Sequence, residues 1–256
     1  MSELITPEIL DTGIKVLGLS VVAKSLDGPI QTINDIWGLL GGDWLHAKRL
    51  KYQQKYAEKI VEKVVNIPPE KLQEPKLSIL GPALEASKFY IEEEEIREMF
   101  ANLIAASMNS DYNNYIQHSF VEIIKQLTPH DAKLFKSFIS STYPCCNIRL
   151  IEKEKTSGYY LFRNFFIADS FPNHEENAIS LVNLQKQGLI LFEEDYILSE
   201  ENLYKPFTDS DYFKEQTHLY EITPGYENYE LTIKKGAFHI TKLGEVFRDI
   251  CIGKSK

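Results

Sequence analysis

The segment Asn177-Ala178-Ile179-Ser180-Leu181-Val182-Asn183-Leu184-Gln185-Lys186-Gln187-Gly188-Leu189-Ile190 decides the fold of the C-terminal half of this chain. Its apolar residues recur at helical spacing, and Gly188 stands where a glycine commonly ends a helix. Strand-forming residues follow directly. A helix that is closed by glycine and followed by strands is typical of a winged-helix module, in which such a helix enters a DNA groove.

The charge of this predicted helix disagrees with a DNA-binding role. Between Glu175 and Gln187 the sequence has two acids and one base, Lys186, and the whole chain carries a net charge of -9 at pH 7. Neutralisation of phosphates by lysine and arginine supplies much of the affinity of ordinary DNA-binding proteins. The charge therefore argues against nucleic acid as a partner. In the alternative of a winged-helix regulator, the residues that contact DNA are Lys186, Lys234 and Lys235.

The remaining sequence predicts two domains and an α+β fold that is mainly α. Residues 1–115 are predicted to form a helical region, because residues 1–45 resemble an apolar, glycine-rich hairpin and residues 46–115 read as helices joined by a proline-rich connector. Residues 116–256 are predicted to form a winged-helix-like domain. A chain of 256 residues with 43% hydrophobic content can bury one large core or two modest cores.

Local signals divide the C-terminal domain into elements. Thr128-Pro129 predicts the start of a helix, since threonine caps a helix and proline suits its first turn. Ser199–Gln216 is predicted to be an exposed loop, and Lys235-Gly236 a tight turn within a wing hairpin. The predicted strands are Cys146–Glu152, Tyr159–Ile167, Leu189–Phe192, Thr217–Ile222, and the two arms of the hairpin over Tyr229–Thr241.

The N-terminal apolar segment allows two interpretations. Gly28-Pro29 is predicted to break it, and neither apolar run approaches the ~20 residues that span a bilayer. Trp37 and Trp44 lie among glycines, and tryptophan favours the membrane interface, so residues 14–45 could contact a membrane surface. The favoured alternative is a buried helical hairpin.

The sequence contains no motif for catalysis, metal binding or export. Cys145, Cys146 and Cys251 have neither the spacing of a disulfide framework nor that of a zinc site, so we expect reduced thiols, no cofactor and a cytoplasmic location. Met1–Asp11 is acidic and lacks the basic start of a secretory leader. No phosphate-binding loop is present, and the six histidines are scattered. We expect no enzymatic activity, although distant residues could still assemble a site.

The aromatic segment Tyr159–Phe166 contains the candidate partner-binding residues Tyr160, Phe162 and Arg163. Exposed aromatic residues beside an arginine are typical of protein-binding hot spots. The alternative is that this segment is a core strand, and the composition favours that alternative.

Three blocks of the sequence resemble the bacterial abortive infection alpha family: Ile67–Ala86, Glu95–Met108 and Ile240–Ile252. The resemblance spans roughly residues 60 to 252 and implies a role in defence against phage, but it names no catalytic residue. The leading hypothesis is a non-enzymatic protein-interaction module in bacterial antiviral defence, with a protein of the host or the phage as its partner. The alternatives are a winged-helix DNA-binding regulator and a membrane-active effector that acts through residues 14–45.

Overall fold

The computed structural model describes residues 3–16, 23–39, 50–155, 157–193 and 196–253. These residues are mainly helical, with a small antiparallel sheet. The chain divides into an N-terminal unit, residues 1–132 with 246–256, and a C-terminal unit, residues 133–245. The predicted boundary after residue 115 is earlier than this one, and the end of the chain belongs with the N-terminal unit.

The N-terminal unit is helical and is built around one central helix. That helix, α5 (Glu94–Ser107), packs against its neighbours through Phe100, Leu103 and Ile104, which are fully buried. The other elements of the unit are α1 (Pro7–Val16), α2 (Ala23–Leu39), α3 (Leu50–Val64), α4 (Leu77–Tyr90), α6 (Ser119–Gln126) and a π-helical segment, Arg248–Ile252.

Helix α2 corrects one prediction for the N-terminal segment. It runs without interruption through Gly28-Pro29, so the predicted break is wrong. Proline removes one backbone donor from the helix, but the buried side chains Leu26, Ile30 and Ile33 hold both sides of Pro29 against the core. Trp44 lies outside the described residues.

The C-terminal unit contains a four-stranded antiparallel sheet in the order β2-β1-β4-β3. Its strands are β1 (Thr142–Glu152), β2 (Gly158–Phe165), β3 (Ile190–Glu193) and β4 (Tyr229–Ile240). Helix α7 (Pro129–Ser137) crosses the unit boundary and leads into β1. The helices α8 (His174–Lys186), α9 (Lys205–Asp209) and α10 (Asp211–Ile222) belong to this unit, and α11 (Lys242–Phe247) crosses its second boundary, after residue 245.

Strand β4 contradicts the predicted wing hairpin. It is continuous through Lys235-Gly236, and it pairs with β1 along the whole of Thr142–Glu152. This long pairing overrides the local turn signal. The winged-helix arrangement is not confirmed, since α9 and α10 lie between β3 and β4 where a winged helix has a short wing.

The segment before β4 also differs from its prediction. Ser199–Gln216 is not a loop throughout, because it contains α9 and the first half of α10. Thr217–Ile222 is helical, not a strand. Its alternating pattern is short, and short apolar runs do not distinguish strand from helix.

The start of α7 confirms the predicted capping. The hydroxyl of Thr128 accepts a hydrogen bond from the backbone N–H of Asp131 at 3.1 Å, and the Asp131 carboxylate accepts one from the N–H of Thr128 at 2.8 Å. This reciprocal pair satisfies two donors at the helix start and fixes the entry into α7.

Candidate functional site

Helix α8 is fixed at both ends by local hydrogen bonding and backbone geometry. The side chain of Asn173 accepts a hydrogen bond from the Glu176 N–H at 3.2 Å, and Gly188 ends the helix with φ of 73°. The inner face of α8 is buried and partly polar; it consists of Asn177, Ser180, Leu181 and Leu184. The Asn177 amide donates to the carbonyl of Phe171 at 2.7 Å, which satisfies the buried polar group.

The outer face of α8 carries aliphatic residues in solvent. Ile179 is 71% exposed and Val182 is 52% exposed. They lie between the exposed residues Glu175 and Lys186, and we call these four residues the α8 stripe. A surface helix ordinarily keeps its apolar residues on the buried face, whereas α8 has them on both faces.

Two further apolar side chains lie near the end of α8. Leu243 is partly exposed, and its Cδ2 lies 3.5 Å from the place a Cβ on Gly188 would occupy. Leu191 is exposed on β3, which is an edge strand of the sheet. Leu243 thus adds exposed apolar surface next to the C-terminal end of α8.

The structure separates Phe162 from the other two candidate partner-binding residues, Tyr160 and Arg163. Tyr160 pairs with Arg149 across the β1–β2 ladder, while Phe162 pairs with Ile148. Strand β2 has one extra residue at this point, Leu161, which forms a β-bulge. Phe162 therefore lies on the opposite face of the sheet from Tyr160.

Phe162 is partly buried and packs against the core of the C-terminal unit. Its ring centroid is 5.2 Å from that of Phe165 and 5.4 Å from that of Tyr212. For this residue the structure agrees with the alternative of a core strand.

Tyr160 and Arg163 remain at the surface and contact each other. The guanidinium carbon of Arg163 lies 3.8 Å from the centroid of the Tyr160 ring, and that of Arg149 lies 5.2 Å from it. Both arginines therefore use the Tyr160 ring as a cation–π partner.

The candidate DNA-contacting lysines do not form one surface. Lys234 and Lys235 are neighbours in the continuous strand β4, so their side chains point to opposite faces of the sheet. Lys235 Nζ lies 3.1 Å from Glu201 Oε1 and 5.4 Å from the centroid of the Tyr204 ring. Lys186 belongs to the α8 stripe.

Sequence reasoning missed one cationic group. Arg149 lies on the same face of the sheet as Tyr160 and Lys234, because Arg149 is paired with Tyr160 and Lys234 with Asn147, two residues before Arg149. With Arg163, three bases lie on this face. Only the cross-strand register shows that Arg149 shares this face, and a single sequence does not contain that register.

Trp37 is buried in the N-terminal unit. It is 1% exposed, its ring centroid lies 6.5 Å from that of Tyr56, and Lys88 Nζ lies 5.3 Å from its centroid. This placement agrees with burial of Trp37, and a membrane contact by Trp37 would require the ring to leave the core. Within the described residues, no helix is long and apolar enough to cross a bilayer.

A cavity of about 250 Å³ lies in the N-terminal unit beside α3, α5 and the π-helical segment. Several of its polar groups are already engaged. Lys63 Nζ lies 3.5 Å from Glu98 Oε1, the Asn102 amide donates to the carbonyl of Cys251 at 2.7 Å, and Asn109 Oδ1 accepts from the N–H of Asp111 at 3.0 Å. These contacts give the cavity walls a structural role.

The cysteines are free and buried. Burial raises the pKa of the Cys146 and Cys251 thiols, which keeps them protonated and makes them poor nucleophiles. Among the residues that the structure describes, no group of three or more His, Cys, Asp or Glu side chains gathers where a metal ion could bind.

Fold and surface together define a mainly helical protein with a small antiparallel sheet and an exposed aliphatic helix face. The profile of the abortive infection alpha family matches residues 48–251, which is most of the chain. The chain therefore belongs to the abortive infection alpha family, as its sequence blocks indicated, and this membership suggests a role in abortive infection defence. No curated protein and no solved structure matches the chain.

Proposed function

We propose that this protein is a non-enzymatic protein-interaction module in abortive infection, and that the α8 stripe is its contact surface. The observation that carries the proposal is the exposure of Ile179 and Val182 on a helix whose other face is already buried. Family membership supplies the biological setting.

The energetics support a contact at this place. Full burial of an aliphatic side chain contributes roughly 1.5–3 kcal/mol, so covering Ile179 and Val182 would favour association. Single exposed aliphatic residues are common on protein surfaces, but two residues at i and i+3 form one continuous patch. The charged residues Glu175 and Lys186 lie at its two ends, which is the arrangement of an apolar centre within a polar rim.

The experiment compares two double variants of the same design. Ile179→Asp with Val182→Asp places carboxylates in the α8 stripe. Leu219→Asp with Ile222→Asp makes the same change on α10, where these residues are 48% and 63% exposed and have the same spacing. Circular dichroism and thermal melting show whether both variants fold as the unmodified protein does.

Protection of bacteria from phage, measured as efficiency of plating, is the readout. We expect the α8 variant to lose protection and the α10 variant to keep it. Protection by the folded α8 variant at the unmodified level would contradict the proposal. Loss of protection by the α10 variant alone would place the contact on α10 and would also contradict it.

A second candidate function is binding of nucleic acid by the sheet face that carries Arg149, Arg163 and Lys234. The observation in its favour is that these three bases share one face with the aromatic ring of Tyr160. Three phosphate contacts would give a salt dependence with a slope of about -3 on logarithmic axes. A mobility shift of duplex DNA at low ionic strength tests it, and the absence of a shift there would remove this candidate.

A further inference from the structure

We infer that the α8 stripe is self-complementary and joins two copies of this chain as an antiparallel pair of α8 helices. This inference rests on the proposed function, because it names the partner of the same surface. Its basis is the order of the four exposed residues along α8, which runs acid, aliphatic, aliphatic, base: Glu175, Ile179, Val182, Lys186.

The spacing of these residues makes the stripe symmetric. The intervals are four, three and four residues, so all four side chains lie along one side of the helix. At a rise of 1.5 Å per residue, Glu175 and Lys186 are about 16 Å apart along the axis, and the midpoint falls between Ile179 and Val182. A two-fold axis at that midpoint brings each end of one helix against the opposite end of the other.

Charge selects this arrangement over the parallel one. In the antiparallel pair, Glu175 faces the partner's Lys186 and Ile179 faces the partner's Val182, and symmetry produces each contact twice. In a parallel pair, glutamate would face glutamate and lysine would face lysine, which is repulsive. A second copy of the chain thus matches both the charges and the apolar centre of the stripe.

The two charged residues are available for this contact. Both are exposed, and in the described part of the chain neither Glu175 nor Lys186 is held in an ion pair with another residue. Lys242 of the neighbouring helix α11 differs, since its Nζ lies 2.8 Å from Glu245 Oε2.

The size of the stripe sets the expected strength of the dimer. A standard interface buries about 800 Å² on each partner, and one helix face of this length covers less. We therefore expect a weak dimer with a dissociation constant of roughly 10–100 μM, which forms at high local concentration.

Charge reversal provides the test. Glu175→Lys and Lys186→Glu, each made alone in the full chain, place like charges opposite each other twice in a homodimer. Each exposed pair has a modest strength, but two pairs change from attraction to repulsion, so we expect self-association to weaken about tenfold. The double variant restores opposite charges and should dimerise again.

A mixture of the two single variants is the sharper experiment. One chain then carries lysine at both ends of the stripe and the other carries glutamate at both ends, so both contacts of a mixed dimer are attractive. Sedimentation equilibrium at about 50 mM salt should show a mixed dimer with a dissociation constant within about threefold of the unmodified one. Because each variant is its own control for folding and helix stability, only pairing across the interface explains such a recovery.

Three results would overturn the inference: a monomeric unmodified protein at 200 μM, single variants that dimerise as well as the unmodified protein, or a mixture that stays monomeric. The phage assay separates this failure from that of the proposed function. If the protein is monomeric but Ile179→Asp with Val182→Asp still abolishes protection, the stripe binds a different protein. If the dimer forms but that variant still protects, the dimer stands and the proposed function is wrong.

Discussion

The side chain of Asn34 exchanges two hydrogen bonds with the backbone of Ile5. The Ile5 N–H donates to Asn34 Oδ1 at 2.8 Å, and Asn34 Nδ2 donates to the Ile5 carbonyl at 2.8 Å. Both residues are buried. This contact fixes the segment before α1 on α2, the same helix that carries Trp37 into the core.

We expect Asn34→Ala to lower the free energy of unfolding by about 2–4 kcal/mol, because it leaves a buried donor and a buried acceptor of Ile5 without their side-chain partner. Urea denaturation measures the change. Gln31→Ala is the matched control, since Gln31 Nε2 donates to Asp35 Oδ1 at 2.7 Å on the exposed side of the same helix. The control variant should lower the free energy of unfolding by less than about 0.5 kcal/mol. Equal losses of stability for the two variants would contradict the prediction.

Two glycines should respond to alanine to very different extents. A Cβ on Gly244 would lie 2.1 Å from the Leu189 carbonyl oxygen, which already accepts a hydrogen bond from the Thr241 N–H at 3.0 Å. We expect Gly244→Ala to destabilise the protein by about 3 kcal/mol, because backbone would have to move.

Gly81 lies inside α4, and apart from its chain neighbours and the backbone of its own helix nothing lies within 4 Å of the place its Cβ would occupy. The next residue is Pro82, whose ring disfavours the helical conformation of a preceding residue that has a Cβ, and this offsets the gain in helix propensity. Gly81→Ala should therefore change the stability by less than about 1 kcal/mol. Thermal melting of the two variants compares the two effects, and equal destabilisation by both would contradict the contrast between Gly244 and Gly81.

Because Tyr160 and Phe162 lie on opposite faces of the sheet, we expect their replacement by alanine to lower the free energy of unfolding by different amounts. Phe162→Ala should lower the unfolding free energy by about 2–3 kcal/mol, since its ring packs on Phe165 and Tyr212. Tyr160→Ala removes a surface ring between two arginines and should cost about 1 kcal/mol or less. Chemical denaturation measures both, and a larger loss for Tyr160→Ala would contradict the bulge at Leu161.

The sequence was sufficient for elements whose signals agree with one another. Helix α8 has helical spacing and a closing glycine, and the start of α7 has a threonine, a proline and an acid at matching positions. Local signals of this kind act within one or two turns, and tertiary contacts reinforce them.

Predictions from the sequence were wrong where contacts between distant residues override a local signal. Lys235-Gly236 has the composition of a turn, yet eleven paired residues of β1 keep β4 extended there. Gly28-Pro29 has the composition of a break, yet packing on both sides maintains α2. The register and the packing partners that decide these cases are not contained in a local pattern.

The candidate surface shows the same limit. The apolar residues of α8 were visible in the sequence, but they surround the helix, so periodicity did not tell which of them are buried. Ile179 and Val182 could be recognised as surface residues only when the opposite face was found to contain Asn177 and Ser180.

Alkaline pH should destabilise the protein through its buried thiols. Burial raises the pKa of Cys146 and of Cys251 above the ordinary value of about 9, so the folded protein retains protons that the unfolded chain releases. The folded state then binds more protons than the unfolded state above that pH. The contribution of the thiols to stability is therefore complete below pH 9 and falls as the pH rises further, by up to about 1.4 kcal/mol per pH unit for each thiol.

Removing both thiols should make the stability less dependent on pH in the alkaline range. We expect Cys146→Ala with Cys251→Ala to be less stable at pH 7, because two buried side chains are truncated, but to lose less additional stability between pH 8 and pH 10 than the unmodified protein. Urea denaturation under reducing conditions at each pH measures the slopes. Val61→Ala truncates a buried side chain without a titrating group, so it should lower the stability at every pH and leave the slope unchanged. Equal slopes for the cysteine variant and the unmodified protein would show that these thiols ionise as readily in the folded state as in the unfolded chain.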